Sequence, residues 1–454
     1  MKKTDFFLCL ALLAAMPAAA MSPLRTYLVR DLVTTPASTG PGNDNGIGKE
    51  TGAGNAVTVG DALIFLNARD WFSPPVRIIR ADRDGVRELS PDAYVGNLSI
   101  IGRIGDAAAF TASDLVASRL YRVDANFSAT LVTTLPEQSG EWSLGTLGST
   151  PLVQCGRADA FYSLCTVGPG GAMTVLTSGL PAYRFSPLGE IGGVAILAVD
   201  GGPGIWRTDG TAPGTFRLLQ AGFVPGNADG RFMSGVLDGR LVFMNCPRQD
   251  SCVLTSTDGT VAGTTTLRDL PPTNLVSGRM VRAGSRLVFT LGTGLWSTDG
   301  TPAGTDILYG QTASYQLGIT AVGGVAHVAF GCASCKFAYA VTDGTPAGTR
   351  AIALPPNLEP SGAFVAAVDD DTVVFPCNAT GHGLELCVTD AGADEFHLVA
   401  DIFPGEGHSI PTLLGQAGGG VFFSANDGTH GREVWRVERW TDAIFADGFE
   451  PADP

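Results

Sequence analysis

The chain is 454 residues long and carries 44 Asp and Glu against 29 Lys and Arg, for a formal net charge of −15. That balance excludes nucleic acid and anionic membrane surfaces as partners; a glycan or another protein is easier to accommodate. Hydrophobic residues make up 44 % of the chain, yet no stretch beyond the N-terminus approaches the roughly 18 consecutive apolar residues of a spanning helix, so no transmembrane segment is expected in the mature chain.

Met1-Lys2-Lys3 precedes an apolar run from Phe6 to Ala15 and the small residues Ala18-Ala19-Ala20. A positive start, a short apolar core and a small-residue cleavage site predict a signal peptide over residues 1–20. The mature chain is therefore expected outside the cytoplasm, whether periplasmic, at the cell surface or secreted. Cys9 lies inside the apolar run and no cysteine marks the cleavage point, which argues against a lipid anchor.

The next segment, Thr26-Tyr27-Leu28-Val29-Arg30-Asp31-Leu32, reads like the closing strand of later units, such as Leu398–Ile402 or Thr266–Leu270. It comes before any partner strands of its own. Residues 33–55 follow as the longest loop, rich in Gly, Thr, Ser, Pro and Asn, and loops of this length in compact domains are usually functional or disordered. Gly42-Asn43-Asp44-Asn45-Gly46 has too few carboxylates and lacks the spacing of a calcium loop, so no metal or other cofactor is expected.

From there the chain repeats itself. The markers Asp82, Asp124, Gly168, Asp209, Asp258, Asp299, Asp343, Asp390 and Glu438 follow at steps of 42, 44, 41, 49, 41, 44, 47 and 48 residues. A period in the forties with strand-like content predicts an all-β fold, a single β-propeller of four-stranded blades. Nine blades are counted, with eight as the second choice should one of the weak early units be degenerate. In the unit around Asp258 the four strands read Phe232–Leu237, Arg240–Asn245, Cys252–Thr257 and Thr264–Leu270, separated by turn residues such as Asp238-Gly239. The propeller is placed at residues 21–440, with a short tail at 441–454. The last unit, around Trp435, lacks a fourth strand, so residues 26–32 are expected to complete it and seal the ring.

The clearest copies of the repeat are Trp296-Ser297-Thr298-Asp299-Gly300-Thr301-Pro302-Ala303-Gly304-Thr305 and its counterparts at Asp209, Asp258 and Asp343. Asp can accept from amides two residues on, and Gly takes positive φ without steric cost, so the motif predicts the turn from third to fourth strand. Asp209, Asp258, Asp299, Asp343 and Asp390 should then lie on one face of the ring, where repeated turn chemistry explains them better than a cation site. Trp206, Trp296 and Trp435 occupy equivalent third-strand positions and are expected to pack between blades.

These residues resemble the bacterial exported proteins with ELWxxDGT repeats. The resemblance rests on Phe422-Phe423-Ser424-Ala425-Asn426-Asp427-Gly428-Thr429-His430-Gly431-Arg432-Glu433-Val434-Trp435 and on Leu398-Val399-Ala400-Asp401-Ile402-Phe403-Pro404-Gly405, and it is strong from about residue 200 onward. It implies a β-propeller outside the cytoplasm and brings no shared catalytic residues.

Beyond Cys9, eight cysteines fall into four neighbouring pairs: Cys155/Cys165, Cys246/Cys252, Cys332/Cys335 and Cys377/Cys387. Each pair straddles the connection from second to third strand of one unit. An exported chain with locally paired cysteines is expected to form structural disulfides at all four. Shifting by 48 residues lays Cys377 on Ala425 and Cys387 on Trp435, so the pair replaces residues expected to face each other across a hairpin. Cys332-Ala-Ser-Cys335 has neither the helical context of a redox motif nor the further ligands of a zinc site.

His382 and His430 sit in hairpin turns, and His327 lies in an apolar strand where a satisfied core residue is expected. Asp394, Glu395 and His397 read as a solvated strand edge. No nucleophile, metalloprotease, phosphate-loop or dinucleotide motif is present, and no catalytic residue is assigned. The expectation is a monomeric, non-catalytic binding or scaffold module for a protein or glycan partner. The face carrying the second-to-third and fourth-to-first connections, loop 33–55 included, is the place to look. The alternative is an extracytoplasmic polysaccharide lyase or hydrolase with its site at the central channel.

Overall fold

The computed structural model describes residues 24–30, 56–67, 77–89, 97–113, 117–135, 145–158, 161–181, 184–200, 204–220, 233–248, 251–271, 280–291, 294–310, 315–331, 339–362 and 364–439. Among these there are strands and turns but no helix. The predicted signal peptide, loop 33–55 and the tail lie outside the described residues, as do Cys332 and Cys335.

The strands assort into nine antiparallel sheets of the order expected for blades, and the nine-blade count stands. In chain order they are blade 1 (56–88), blade 2 (97–135), blade 3 (145–181), blade 4 (184–219), blade 5 (234–270), blade 6 (281–310), blade 7 (315–352), blade 8 (358–400) and blade 9 (412–439). First strands of successive blades approach one another, which places them on the inside of the ring. In blade 8 the first strand is divided: Leu358–Pro360 and Ala366–Ala367 both pair with Thr372–Ala379.

Burial explains why second strands read as unbroken apolar runs rather than alternating ones. Successive side chains of Ala62–Asn67 leave opposite faces of the sheet, and both faces are covered. Leu63 and Phe65 pack into a cluster shared with blade 9. Ile64 and Leu66 pack into one shared with blade 2. Every seam between neighbouring blades holds a cluster of this kind, the seam between blades 9 and 1 included. The tryptophans take their expected places there: Trp206 packs against the cluster between blades 3 and 4, and Trp435 against the one between blades 8 and 9. Trp296 stacks on Phe289 at 6.5 Å, with Arg268 of blade 5 over its ring at 5.7 Å.

The ring closes as the sequence predicts. Strand Leu24–Arg30 pairs antiparallel with Arg432–Arg439, with Leu28 opposite Trp435, and supplies the fourth strand of blade 9. The seal is charged as well as apolar. Arg25 Nε and Arg436 Nε each donate to the buried Glu438 at 2.8 Å, and Arg83 Nε of blade 1 donates at 3.1 Å. Burial pushes the Glu438 carboxyl up, but the Arg25 hydrogen bond and the charges of Arg436, Arg25 and Arg83 outweigh it and hold the group below the usual carboxylate range. Arg436, wholly buried, also lies 4.8 Å from the Phe422 ring centre and donates to Gly418 O at 2.7 Å.

The third-to-fourth turns share one hydrogen-bond scheme. At blade 6, Asp299 Oδ1 accepts from Thr301 N at 2.9 Å and from Thr301 Oγ1 at 2.7 Å. Thr301 Oγ1 in turn accepts from Gly304 N at 3.0 Å, and Thr305 Oγ1 donates to Thr301 O at 2.7 Å. Gly300 has φ of 84°, as the motif requires. Gly304 is there for a different reason: a Cβ at that position would overlap the Asp299 carboxylate. The same Asp–Thr bonds recur at Asp209, Asp258 and Asp343, where the Thr hydroxyl is the first cause of a lowered carboxyl pKa. Asp390 departs from the scheme, accepting instead from Gly392, Asp394 and Glu395 amides.

Candidate binding cleft at the head of blade 8

Second-to-third hairpins and fourth-to-first crossovers emerge on the face opposite the Asp-Gly-Thr turns. Among the described residues three of the hairpins are braced. Cys155 is bonded to Cys165, Cys246 to Cys252 and Cys377 to Cys387, with Cα separations of 5.8, 3.9 and 5.8 Å. The Cys377–Cys387 bridge runs diagonally and not straight across: Cys377 is directly opposite Glu385, and Cys387 is opposite Phe375. The expectation that the paired cysteines face each other is corrected to that extent. Disulfides of this kind belong to an oxidising compartment.

A cleft of about 340 Å³ opens at the head of blade 8. One side is the entry to that blade, with Asn357 and Glu359. The second is the braced hairpin, with Asn378 and Thr380, and the third is the crossover to blade 9, with Glu406 and His408. Among the described residues its lining carries two carboxylates, two amides, a hydroxyl and an imidazole, and no Phe, Tyr, Trp, Lys or Arg.

The crossover is held by two buried charges of opposite sign on adjacent blades. Glu385, in the third strand of blade 8, is fully buried and accepts amide hydrogens from Ile402 at 3.0 Å, Ser409 at 3.1 Å and Phe403 at 3.4 Å. Burial raises its pKa, and the hydrogen bonds from Ser409, Ile402 and Phe403 offset only part of that. Arg432, in the third strand of blade 9, grips the carbonyl end: its two terminal nitrogens donate to Ile410 O at 2.9 and 2.7 Å. Burial lowers the Arg432 pKa to about 10, so it stays charged at neutral pH. Ile410 is fixed at φ of 49°, a conformation that a β-branched residue adopts only when its surroundings impose it. His408 Nδ1 accepts from Leu384 N at 2.9 Å, and His382 Nδ1 pairs with Asp401 Oδ2 at 3.0 Å.

The other singled-out residues lie elsewhere. His327 is buried in the seam between blades 7 and 8. Its Nε2 donates to Ala391 O at 3.1 Å and its Nδ1 accepts from Tyr339 OH at 3.2 Å. Burial pushes its pKa down to about 4, so it is the neutral core residue expected. His430 Nδ1 bonds with Asp427 Oδ2 at 2.6 Å in the blade 9 hairpin. His397 and Glu395 are exposed and 3.5 Å apart. Among the described residues no group of three or more His, Cys, Asp or Glu could hold a metal ion.

Sequence reasoning missed Glu385 and Arg432. A signal for the first existed: Glu385 recurs as Glu433 after 48 residues, and it stands between Leu384 and Leu386. For Arg432 there was none, since its partners are backbone carbonyls and Ser and Thr oxygens of its own blade and the crossover before it.

No family model matches the chain, and no curated protein matches it. Among solved structures, 86 % of the chain aligns with 61 % of a puromycin hydrolase at 13 % identity and a TM-score of 0.42. The β-propeller domain of the Trilobed protease from Pyrococcus furiosus aligns over 76 % of this chain and 96 % of its own, at 11 % identity and a TM-score of 0.37. A eukaryotic initiation factor aligns over 80 % of this chain and 96 % of its own, at 10 % identity and a TM-score of 0.48. The chain thus spans 61 % of the hydrolase's length. At these identities and scores the likenesses carry no argument about function.

Proposed function

We propose that the protein is an exported, monomeric, non-catalytic propeller that binds a protein or glycan partner through the hairpin and crossover face, with the blade 8 cleft as the contact. The observation that carries this reading is that the cleft is walled by three separately fixed segments. The hairpin is clipped by Cys377–Cys387, the crossover is pinned by Glu385 and Arg432, and Thr380 N donates to Asn357 O at 2.9 Å. A site fixed before it meets its ligand loses less entropy on binding. Amide and carboxylate side chains on its walls can bond hydroxyl and amine groups of either partner class. The signal-like N-terminus and the three disulfides support an extracytoplasmic setting.

Among the described residues, the charged residues of inner strands, Arg103, Arg184, Glu190, Arg282 and Glu359, are spread over four blades; Glu190 accepts from Gly148 N, and Arg282 bonds with Asp238 and Gly284 O. The test is a glycan array and a pull-down with the oxidised protein, set beside Glu406→Ala and Asn378→Ala. Retained ligands should be lost from both variants. Undiminished binding by both would remove the cleft as the contact.

A further inference from the structure

Glu359 and Glu406 stand on different walls of the cleft, one at the blade entry and one on the crossover. Both are exposed, and neither makes a hydrogen bond or ion pair among the described residues. Neighbouring carboxylates are already engaged: Asp401 pairs with His382, and Asp369 with Arg439. Asn357, Asn378 and Thr380 add acceptors beside the two glutamates, and no Lys or Arg of the described lining competes for them. Two unpaired carboxylates in a chain of net charge −15 complement a cation. The apolar part of the lining is Pro356, Leu358 and Ala379, with no Phe, Tyr or Trp ring on which a sugar face or a flat ligand could stack.

Beside this cleft the crossover presents Ile410. Its amide donates to Leu384 O at 3.3 Å, next to Gly383 of the lining. A positive φ costs a β-branched residue more than Gly or Asn, yet Ile stands there. Its side chain is 50 % exposed, so burial does not explain the choice. Arg432 holds its carbonyl, so the residue is fixed before any partner arrives. An apolar side chain held out beside a polar cleft suits the core of a protein interface, where basic anchors are often arginine. We propose that the cleft receives a basic side chain, arginine or lysine, of a protein partner, and that Ile410 packs against an apolar residue flanking it. The inference rests on the cleft reading and narrows its partner from protein or glycan to protein.

A display library of random short peptides, panned on the oxidised full chain, tests this. Retained peptides should carry Arg or Lys beside a large apolar residue. A synthetic copy of the strongest should bind about tenfold or more weaker to the double variant Glu359→Gln, Glu406→Gln, and should weaken as salt is raised. The double variant keeps most of the net charge, so its loss of binding reports the cleft and not the overall field. Replacing the basic residue of the peptide by Gln should have the same effect. Ile410→Asn tolerates the positive φ, and should weaken the peptide about fivefold or more while melting no lower than the wild type. Retained peptides without a basic residue overturn the proposal, as does a peptide indifferent to the double variant or a library that yields nothing. A melting temperature several degrees lower in Ile410→Asn overturns the role given to that residue. Glycans retained by the wild type and lost from Asn378→Ala, with no such peptide, would sustain the cleft and overturn the protein partner. Peptides bound equally by the wild type, Asn378→Ala and the double variant would remove the cleft itself.

Discussion

His327 ties the stability of the ring to pH, and the size of the effect follows from its surroundings. The imidazole is wholly buried between blades 7 and 8, and its pKa falls from 6.5 to about 4. Above pH 6.5 the ring is neutral in folded and unfolded chain alike, and the full contribution is present. As pH falls through 6.5 the unfolded chain takes up a proton that the folded chain refuses, so stability declines until the folded pKa near 4 is reached. A gap of about 2.5 units sets a ceiling of roughly 3.4 kcal/mol, of which about 2 kcal/mol is already lost at pH 5. Urea unfolding followed by tryptophan fluorescence, at pH 7.5 and pH 5, would measure the loss in the wild type and in His327→Gln. The glutamine keeps a donor and an acceptor but does not titrate, so the wild type should lose about 2 kcal/mol more than the variant. Equal losses would refute the reasoning, as would an NMR titration placing the His327 midpoint between 6 and 7.

Other outcomes follow from the same contacts. Glu438→Gln removes the charge that faces Arg25, Arg83 and the wholly buried Arg436, and should destabilise the protein by about 3–5 kcal/mol in denaturant unfolding. A loss within error would mean the hub is dispensable. Because its folded pKa is depressed, the hub's contribution is present above the unfolded pKa and fades as pH falls through the folded one. Replacing Cys377 and Cys387 together by alanine opens a loop with a sequence separation of 10 residues and should cost about 2–3 kcal/mol, with the same change on reduction absent from the variant. Gly300→Ala should cost about 1–2 kcal/mol for its positive φ. Gly344→Ala should cost more, because a Cβ there comes within 2.8 Å of Arg286 whereas at Gly300 the nearest atom is 3.7 Å away. Equal melting temperatures for the two would contradict the packing.

What was legible in the sequence is what repeats. The Asp-Gly-Thr turn is written by local chemistry, so Asp299, Thr301 and Gly304 could be read without knowing any long-range contact. The blade count and the closing strand followed from the period, because Leu24–Arg30 is a fourth strand without its other three. The cleft was not legible, since it depends on what is peculiar to blade 8. Asn357 and Glu406 come from two connections whose lengths vary from unit to unit, and Asn378 from the end of the second strand, beside the hairpin. The diagonal course of the Cys377–Cys387 bridge was hidden too, because pairing register is set by the whole strand and not by the cysteines. His327 was read correctly from its apolar neighbours, but its acceptor Ala391 lies 64 residues away in the next blade and no local pattern names it.

The buried charges form a pattern of their own. Among the described residues the buried Glu and Arg side chains are Glu385, Arg432, Glu433, Arg436 and Glu438, all in blades 8 and 9. Burying ions is a poor way to gain stability, since desolvation can exceed the attraction between them. Their position points to specificity. A ring of similar blades offers an N-terminal fourth strand several near-equivalent edges, and a slip of one residue would turn every side chain to the wrong face. Apolar pairs such as Leu28 and Trp435 discriminate weakly among those alternatives. Glu438 discriminates strongly, because any other register leaves it without Arg25, and any other seam leaves it without Arg83 of blade 1. The cost of a buried, unpaired carboxylate in the misregistered ring is what selects the native closure. The repeat supplies the blades, and the charges that break the repeat determine where the circle ends.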